Sequence, residues 1–558
     1  RRGQIGQAFL RADHVEVALD PLAFVNSTRL LQQVRMENVT ILPALIGQTV
    51  KSDPATPTIN LNMGVDLYDV MLDEIHIKRL TGHLHNDETG FSLANLEATL
   101  IDDAGGIVLI HGHISYDQAE AVYSGSLTVD GDPDLMVEPL RTWGMRVAPE
   151  IISRFTFTDT KPRFVVNFHH KAEGDGTWFV DGRVWIEEGT YRSVEFMRAD
   201  GTYNFQVGKS NVVFQVDPLL IVRAEGLARG NFVYASEPEI RTLEFTVSST
   251  LDPHALAGMV GVLTNIVSPD YIFDVPYRVE AHGVYDFLAP EKTLLSADID
   301  LGGIKVGEID LLQPSFSWKR TGYVSEFPEF RAQFCDGIVT GKGYLAKPTG
   351  ADVTSAFFTG DWRGIGLKGF ADRMIGEGKH EFSGDVSGHL HLIGVTGKEN
   401  RHSWAGNGDI RIADGQILRM PVFGGLTDYL GKVLPGVDLV VNQTAAHATY
   451  RVGNGNVRFD EVRVEGDVLS LLGNGSCDFD RELDFSIELT FFKAHTMVGK
   501  LIRLPTWIFS KLLEFRVTGP LNSPHWYPVN FSKDIWGRLG LKSDKDKARS
   551  PEKTEEGD

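Results

Sequence analysis

The sequence predicts an all-β fold: antiparallel strands, built from repeats, with a few short helices. Three observations predict it. The first is period-two alternation. Leu483, Phe485, Ile487 and Leu489 fall on one side of their run, and Asp484, Ser486 and Glu488 on the other. Leu243, Phe245 and Val247 share a side in the same way, as do Phe164, Val166 and Phe168. Successive side chains point to opposite faces of a strand, so these runs are half-buried strands with one apolar face. The second observation is punctuation. Such runs recur roughly every 10 to 12 residues between Gly, Asp and Asn, the spacing of hairpins rather than of βαβ units. The third is internal repetition.

Five stretches break the alternation with helical spacing: 134–152, 254–267, 363–375, 421–433 and 494–513. Asp-Pro precedes the first two, at Asp132-Pro133 and Asp252-Pro253. Proline suits a helix start, where its missing N–H has no intrahelical partner to lose. An aromatic pair and a proline follow each of the two: Phe155, Phe157 and Pro162, then Tyr271, Phe273 and Pro276. Looser copies downstream suggest units of roughly 110 to 130 residues. A second match aligns 182–196 with 408–423, both with Gly, aliphatic and Ile positions before an acidic residue and Gly, and predicts strand, tight acidic-Gly turn and returning strand. The boundaries expected from this are 1–172, 173–290, 291–394 and 395–532, then a polar tail over 533–558.

Charge narrows the function classes. The net charge is -21, with 42% hydrophobic and 23% charged residues. A chain this acidic repels a phosphate backbone, so no nucleic-acid partner is expected. No run of 18 apolar residues is present to span a membrane as a helix. The abrupt opening at Arg1-Arg2-Gly3 reads as a chain whose natural N-terminus has been removed. The two cysteines, Cys335 and Cys477, are too few for a disulfide scaffold. They are two separate thiols, or one disulfide in an oxidising compartment.

The C-terminal part resembles the AsmA-like C-terminal region of bacterial envelope proteins, the AsmA-like and TamB-like family of repeating β-groove lipid carriers. The residues that carry the resemblance run from "GDVSGHLHLIG" (384–394) through "WAGNGDIRIADGQILRMPVFGGLTDYL" (404–430) and 448–489 to "FRVTGPLNSPHWYPV" (515–529). Gly384, Gly394, Gly408, Gly415, Gly455, Gly466, Gly473, Gly475, Gly519 and Pro524 fall where that family's turns fall. Residues 13–42 resemble the start of the family's periplasmic part. The resemblance implies an elongated, curved sheet forming a hydrophobic groove. It also implies a periplasmic location and an N-terminal inner-membrane anchor that this sequence does not include. Phospholipid or another acyl lipid would be the ligand, and an outer-membrane component a further partner. The apolar positions Phe164, Val166, Phe168, Leu243, Phe245, Val247, Leu483, Phe485, Ile487 and Leu489 would then line the groove. The alternative is a scaffolding envelope protein whose apolar face is closed as a β-sandwich core.

No enzyme activity, cofactor or metal is expected. Gly-x-Ser-x-Gly is absent, and acid pairs such as Asp102-Asp103 and Glu187-Glu188 read as solvated turn acids. His83/His85, His111/His113 and His389/His391 could each form half a metal site, with no convincing third ligand in sequence. The segment 493–515 is apolar and basic, with Lys500, Arg503, Trp507 and Lys511, in an otherwise acidic chain. It reads as a cap on the end of the groove, or as a contact with a membrane surface or partner.

Overall fold

The structure, a computed structural model, describes residues 10–19, 31–41, 60–72, 75–101, 106–137, 141, 147–157, 162–171, 176–261, 267–307, 309–347, 353–375, 383–417, 421–423, 426, 443–466, 469–491 and 513–529. The protein is almost wholly β, as the alternation predicts. It divides into two units: residues 1–269 with 276–297, and residues 270–275 with 298–558.

The first unit begins with β1 (Leu10–Arg11) and β2 (His14–Leu19), both paired with β3 (Leu31–Ile41). Next come β4 (Leu61–Leu72), β5 (Ile75–Asp87), β6 (Gly90–Ile101), β7 (Ile107–Asp117) and β8 (Val122–Asp130). β9 (Phe155–Phe157) and β10 (Arg163–Lys171) share the next position, both pairing with β11 (Trp178–Tyr191). The ladder continues through β12 (Val194–Val207), β13 (Val212–Val222), β14 (Leu227–Glu237) and β15 (Ile240–Ser249) to β16 (Ile272–Asp286). Pairing is antiparallel except between β3 and β4. The connection between Ile41 and Leu61 has the length that a parallel crossover needs.

The division between the units runs through β16 and β17 (Leu294–Val306). The second unit contains β18 (Ile309–Thr321), β19 (Val324–Phe334), β20 (Gly337–Ala346), β21 (Ser355–Gly366), β22 (Asp385–Val395) and β23 (Ala405–Ala413). It ends with β24 (Gln443–Gly453), β25 (Asn456–Gly466), β26 (Leu469–Asp478), β27 (Glu482–Phe491), β28 (Leu513–Pro520) and β29 (His525–Val529). Among the described residues, β18 to β29 pair antiparallel with their neighbours in chain order, so this unit is a meander.

The described α-helices are α1 (Val147–Ile152), α2 (Pro253–Val260) and α3 (Leu367–Ile375), each overlapping a stretch with helical spacing. α2 starts on the Asp-Pro signal: the Asp252 carboxylate accepts from the His254 N–H at 2.7 Å, and Gly261 closes the helix with φ +78°. After Asp132-Pro133 the chain makes only a 3₁₀ turn, Pro133–Met136, with Asp132 accepting from the Asp134 N–H. Of 421–433, residues 421–423 form a 3₁₀ turn. The stretch 494–513 lies outside the described residues except for Leu513, which starts β28.

One reading needs correction. The acidic-Gly step at Glu188-Gly189 is not a turn. β11 runs straight through it, with Glu188 kinked into the left-handed region at φ +53°, where the strand changes partner from β10 to β9. The chain reverses instead at Arg192-Ser193, φ +49° and +65°, the paired left-handed residues of a type I′ hairpin. Its counterpart Asp414-Gly415 does follow the end of β23.

Candidate functional site: one apolar face in each unit

Residues directly opposed across an antiparallel ladder point to the same side of the sheet. The register therefore tells which candidate positions share a face. In the first unit Phe168 leads across the sheet to Val180, Phe205, Phe214, Tyr234 and Leu243. Val166 leads to Gly182, Tyr203, Val216, Phe232 and Phe245. Phe164 leads to Val184, Gly201, Leu219, Gly230 and Val247. The two triplets singled out in sequence thus lie on one apolar face, joined by unbroken rows across six strands. Bulges at Gly201/Tyr203 and Val216/Leu219 keep the rows aligned by skipping a residue on one strand.

In the second unit Leu483, Phe485, Ile487 and Leu489 share the corresponding face of β27. Their rows reach Cys477, Gly475, Gly473 and Leu471 on β26, and Gly519, Val517, Phe515 and Leu513 on β28. The rings of Phe459 and Phe485 lie 5.5 Å apart on this face.

Burial separates the candidates. Phe164, Val166, Phe168, Leu243, Phe245, Val247, Phe485 and Ile487 are half-buried, whereas Leu483 and Leu489 are buried. A second sheet packed on top would bury such positions almost fully. Dry clusters occur instead along one margin of the first unit's face. Ile186, Phe196, Ala228, Leu251 and Met259 gather beneath α2, and Val70, Ile77, Leu100 and Val108 with their neighbours form another. In the second unit Trp526 is buried and donates its indole N–H to the Val422 carbonyl at 2.9 Å, which brings the 421–423 turn over the end of the face.

The other face of each sheet is wet and carries ion pairs. Asp200 receives Arg183 and Arg198, both at 2.8 Å, and the Arg183 hydrogen bond leads in holding its carboxyl below the usual range. Arg163 pairs with Asp130 at 2.6 Å, and Arg516 with Asp484 at 3.1 Å. Exposed pairs of this kind each add little stability, but they keep that face hydrated.

Two tyrosines punctuate the apolar faces. Tyr203 Oη donates across Gly182 to the Val165 carbonyl at 3.0 Å, and Tyr450 Oη donates across Gly408 to the His389 carbonyl at 3.3 Å. Gly182 and Gly408 are the equivalent glycines of the internal match, so each unit carries the same three-strand staple. Burial pushes the Tyr450 phenol up to about 12 and raises Tyr203 as well. A raised acid in the folded state stabilises the fold below the unfolded value near 10, and that contribution is lost as pH rises to the folded value. Stability of the second unit is therefore expected to fall between about pH 10 and 12. Tyr450→Phe should flatten that limb in urea melts taken across the range.

Two of the three His-x-His pairs find local partners. His389 Nδ1 lies 3.1 Å from Asp361, and His85 lies 3.0 Å from Asp87. Among the described residues no group of three or more His, Cys, Asp or Glu is placed to hold a metal. Cys335 and Cys477 are free thiols, and burial raises both. Among the described residues no helix is long and apolar enough to cross a membrane. Lys500, Arg503, Trp507 and Lys511 lie outside the described residues.

Sequence reading missed a row of aromatic residues in the first unit. Phe91, Tyr116, Tyr123, His170 and Trp178 are directly paired from β6 to β11 at the margin opposite the α2 clusters. The available signal was position: each of the five stands at or within one residue of the strand end bordering a hairpin connection. No family model matches the chain, and no curated protein matches it.

Proposed function

We propose that this protein is a non-enzymatic lipid carrier, holding acyl chains along the apolar face of its sheet. The observation that carries the reading is the set of unbroken apolar rows from β10 to β15, half-open rather than dry. Hydrating an acyl chain costs about 0.8 kcal/mol per CH₂, so a sixteen-carbon tail in water costs on the order of 12 kcal/mol. A continuous apolar lane removes most of that cost with no chemistry, and the ion-paired opposite face keeps the protein in solution.

The resemblance of residues 384–529 to AsmA-like envelope proteins supplies the setting. In this proposal the protein works in the periplasm of a diderm bacterium, anchored to the inner membrane by a segment outside this sequence. It supports phospholipid movement towards the outer membrane and the integrity of that membrane. The basic segment with Lys500, Arg503, Trp507 and Lys511 is proposed to meet a membrane surface or an outer-membrane component. Native mass spectrometry of the purified protein is the test. Phospholipid is expected to survive gentle desolvation as a discrete mass increment. A lipid-free protein that takes up none from vesicles would favour a scaffold with a closed core.

A further inference from the structure

The aromatic row at the margin of the first unit differs from the face it borders. Each member stands two residues from an apolar-row position on the same strand: Phe91 from Leu93, Tyr116 from Ile114, Tyr123 from Gly125, His170 from Phe168, and Trp178 from Val180. The rings are close-packed. Tyr116 and Tyr123 have centroids 4.5 Å apart, and His170 stacks on Trp178 at 4.1 Å with only 6° between planes. Ring faces therefore cover one another, and polar tips are what such a row can offer a ligand. Unlike Tyr203 and Tyr450, the hydroxyls of Tyr116 and Tyr123 and the indole N–H of Trp178 make no hydrogen bond among the described residues. Burial raises the Tyr123 phenol. Aromatic residues with one wet end suit the boundary between an apolar phase and water.

The turns beside this row are acidic. Asp87 and Glu88 border the β5–β6 turn, Asp117 and Glu120 the β7–β8 turn, and Lys171 is the cation at the end of β10. Hydrogen bonds from Thr89 lead in holding the Asp87 carboxyl down at about 2, so it stays ionised.

We infer that this margin is the head-group lip of the apolar face, and that it selects zwitterionic phospholipids carrying an ammonium group over anionic ones. The inference rests on the lipid-carrier reading above. Tyr116, Tyr123 and Trp178 donate to the ester and phosphate oxygens of the bound lipid. The carboxylates of the two turns attract the ammonium and repel a head group of net negative charge. The acyl chains enter the rows of Phe168 and Val166.

The test is competition. Delipidated protein is mixed with vesicles of equimolar phosphatidylethanolamine and phosphatidylglycerol and separated by flotation. Its bound lipid is then counted by mass spectrometry. The wild type should hold phosphatidylethanolamine in excess by about fivefold, the upper scale of one exposed ion pair. Tyr116→Phe/Tyr123→Phe keeps both rings and every turn carboxylate, so total lipid per chain should fall while the phosphatidylethanolamine excess stays as in the wild type. Glu88→Lys/Glu120→Lys should invert the preference. Equal uptake of the two lipids by the wild type, an excess unchanged in Glu88→Lys/Glu120→Lys, or total lipid unchanged in the phenylalanine variant would overturn the lip and leave the carrier standing. No uptake of either lipid would overturn both.

Discussion

Ile487→Asp is expected to leave the protein folded, while Leu489→Asp, two residues along the same strand, is expected to unfold the end of the second unit. Both side chains point to the apolar face of β27. Leu489 is 0% exposed and lies between Leu471 at 2% and Leu513 at 5%. A carboxylate there would be buried among leucines, which costs several kcal/mol or forces local unfolding. Ile487 is half-buried, with Gly473 on one side and Phe515 on the other. Gly473 and Phe515 are buried, but the Ile487 position itself stays partly open, and that opening gives an aspartate its route to solvent. On the proposed carrier function the lane for acyl chains is nevertheless interrupted, so the Ile487 variant should melt near the wild-type temperature and carry less phospholipid. Ser486→Asp, on the wet face, should change neither property. Thermal melts with lipid extraction on all three variants decide the matter. If Ile487→Asp melts as early as Leu489→Asp, the face is closed over at this strand and the open lane is wrong there.

Much of this was legible in sequence because period-two alternation is a direct consequence of strand geometry. The triplets 164/166/168 and 243/245/247 needed only alternation to be assigned an apolar face, and register then placed them in the same rows. Turn chemistry was legible where the residues are specialised. Asn454-Gly455, φ +53° and +75°, is the type I′ turn that Asn-Gly prescribes. Arg192-Ser193 and Cys335-Asp336 adopt the same left-handed pair with residues that do not announce it. There the pairing of long flanking strands imposes the turn against local preference. Glu188 misled for the converse reason, since an acidic-Gly step fits a kinked strand as well as a turn. The aromatic row was illegible because it exists only across strands: no single run contains two of its members that face each other. The separation of buried Leu489 from half-open Ile487 has the same origin, because alternation gives a face but not what covers it.

Gly182→Ala is expected to be the most damaging small substitution in the first unit. A Cβ at Gly182 would lie 1.7 Å from the Val165 carbonyl oxygen and 2.9 Å from Tyr203 Oη. The first obstacle is backbone in the neighbouring strand, so no rotamer change relieves it. The ladder between β10 and β11 must open locally, or Val165 must shift and lose its bond from Tyr203. Overpacking of this kind costs about 1 to 3 kcal/mol, and losing the phenol hydrogen bond adds about 1 kcal/mol. Tyr203→Phe alone should cost only the second part, because the ring still covers the glycine. Gly408→Ala should repeat the effect in the second unit, where the Cβ would lie 2.2 Å from the His389 carbonyl oxygen and 2.5 Å from Tyr450 Oη. Urea melts of these three single variants and of Tyr450→Phe, with hydrogen exchange followed at the amides of β10 and β22, give the comparison. If Gly182→Ala costs no more than Tyr203→Phe, the close approach is not what the glycine is for. A loss several times larger, centred on the strand beside each substituted glycine, is the expected result.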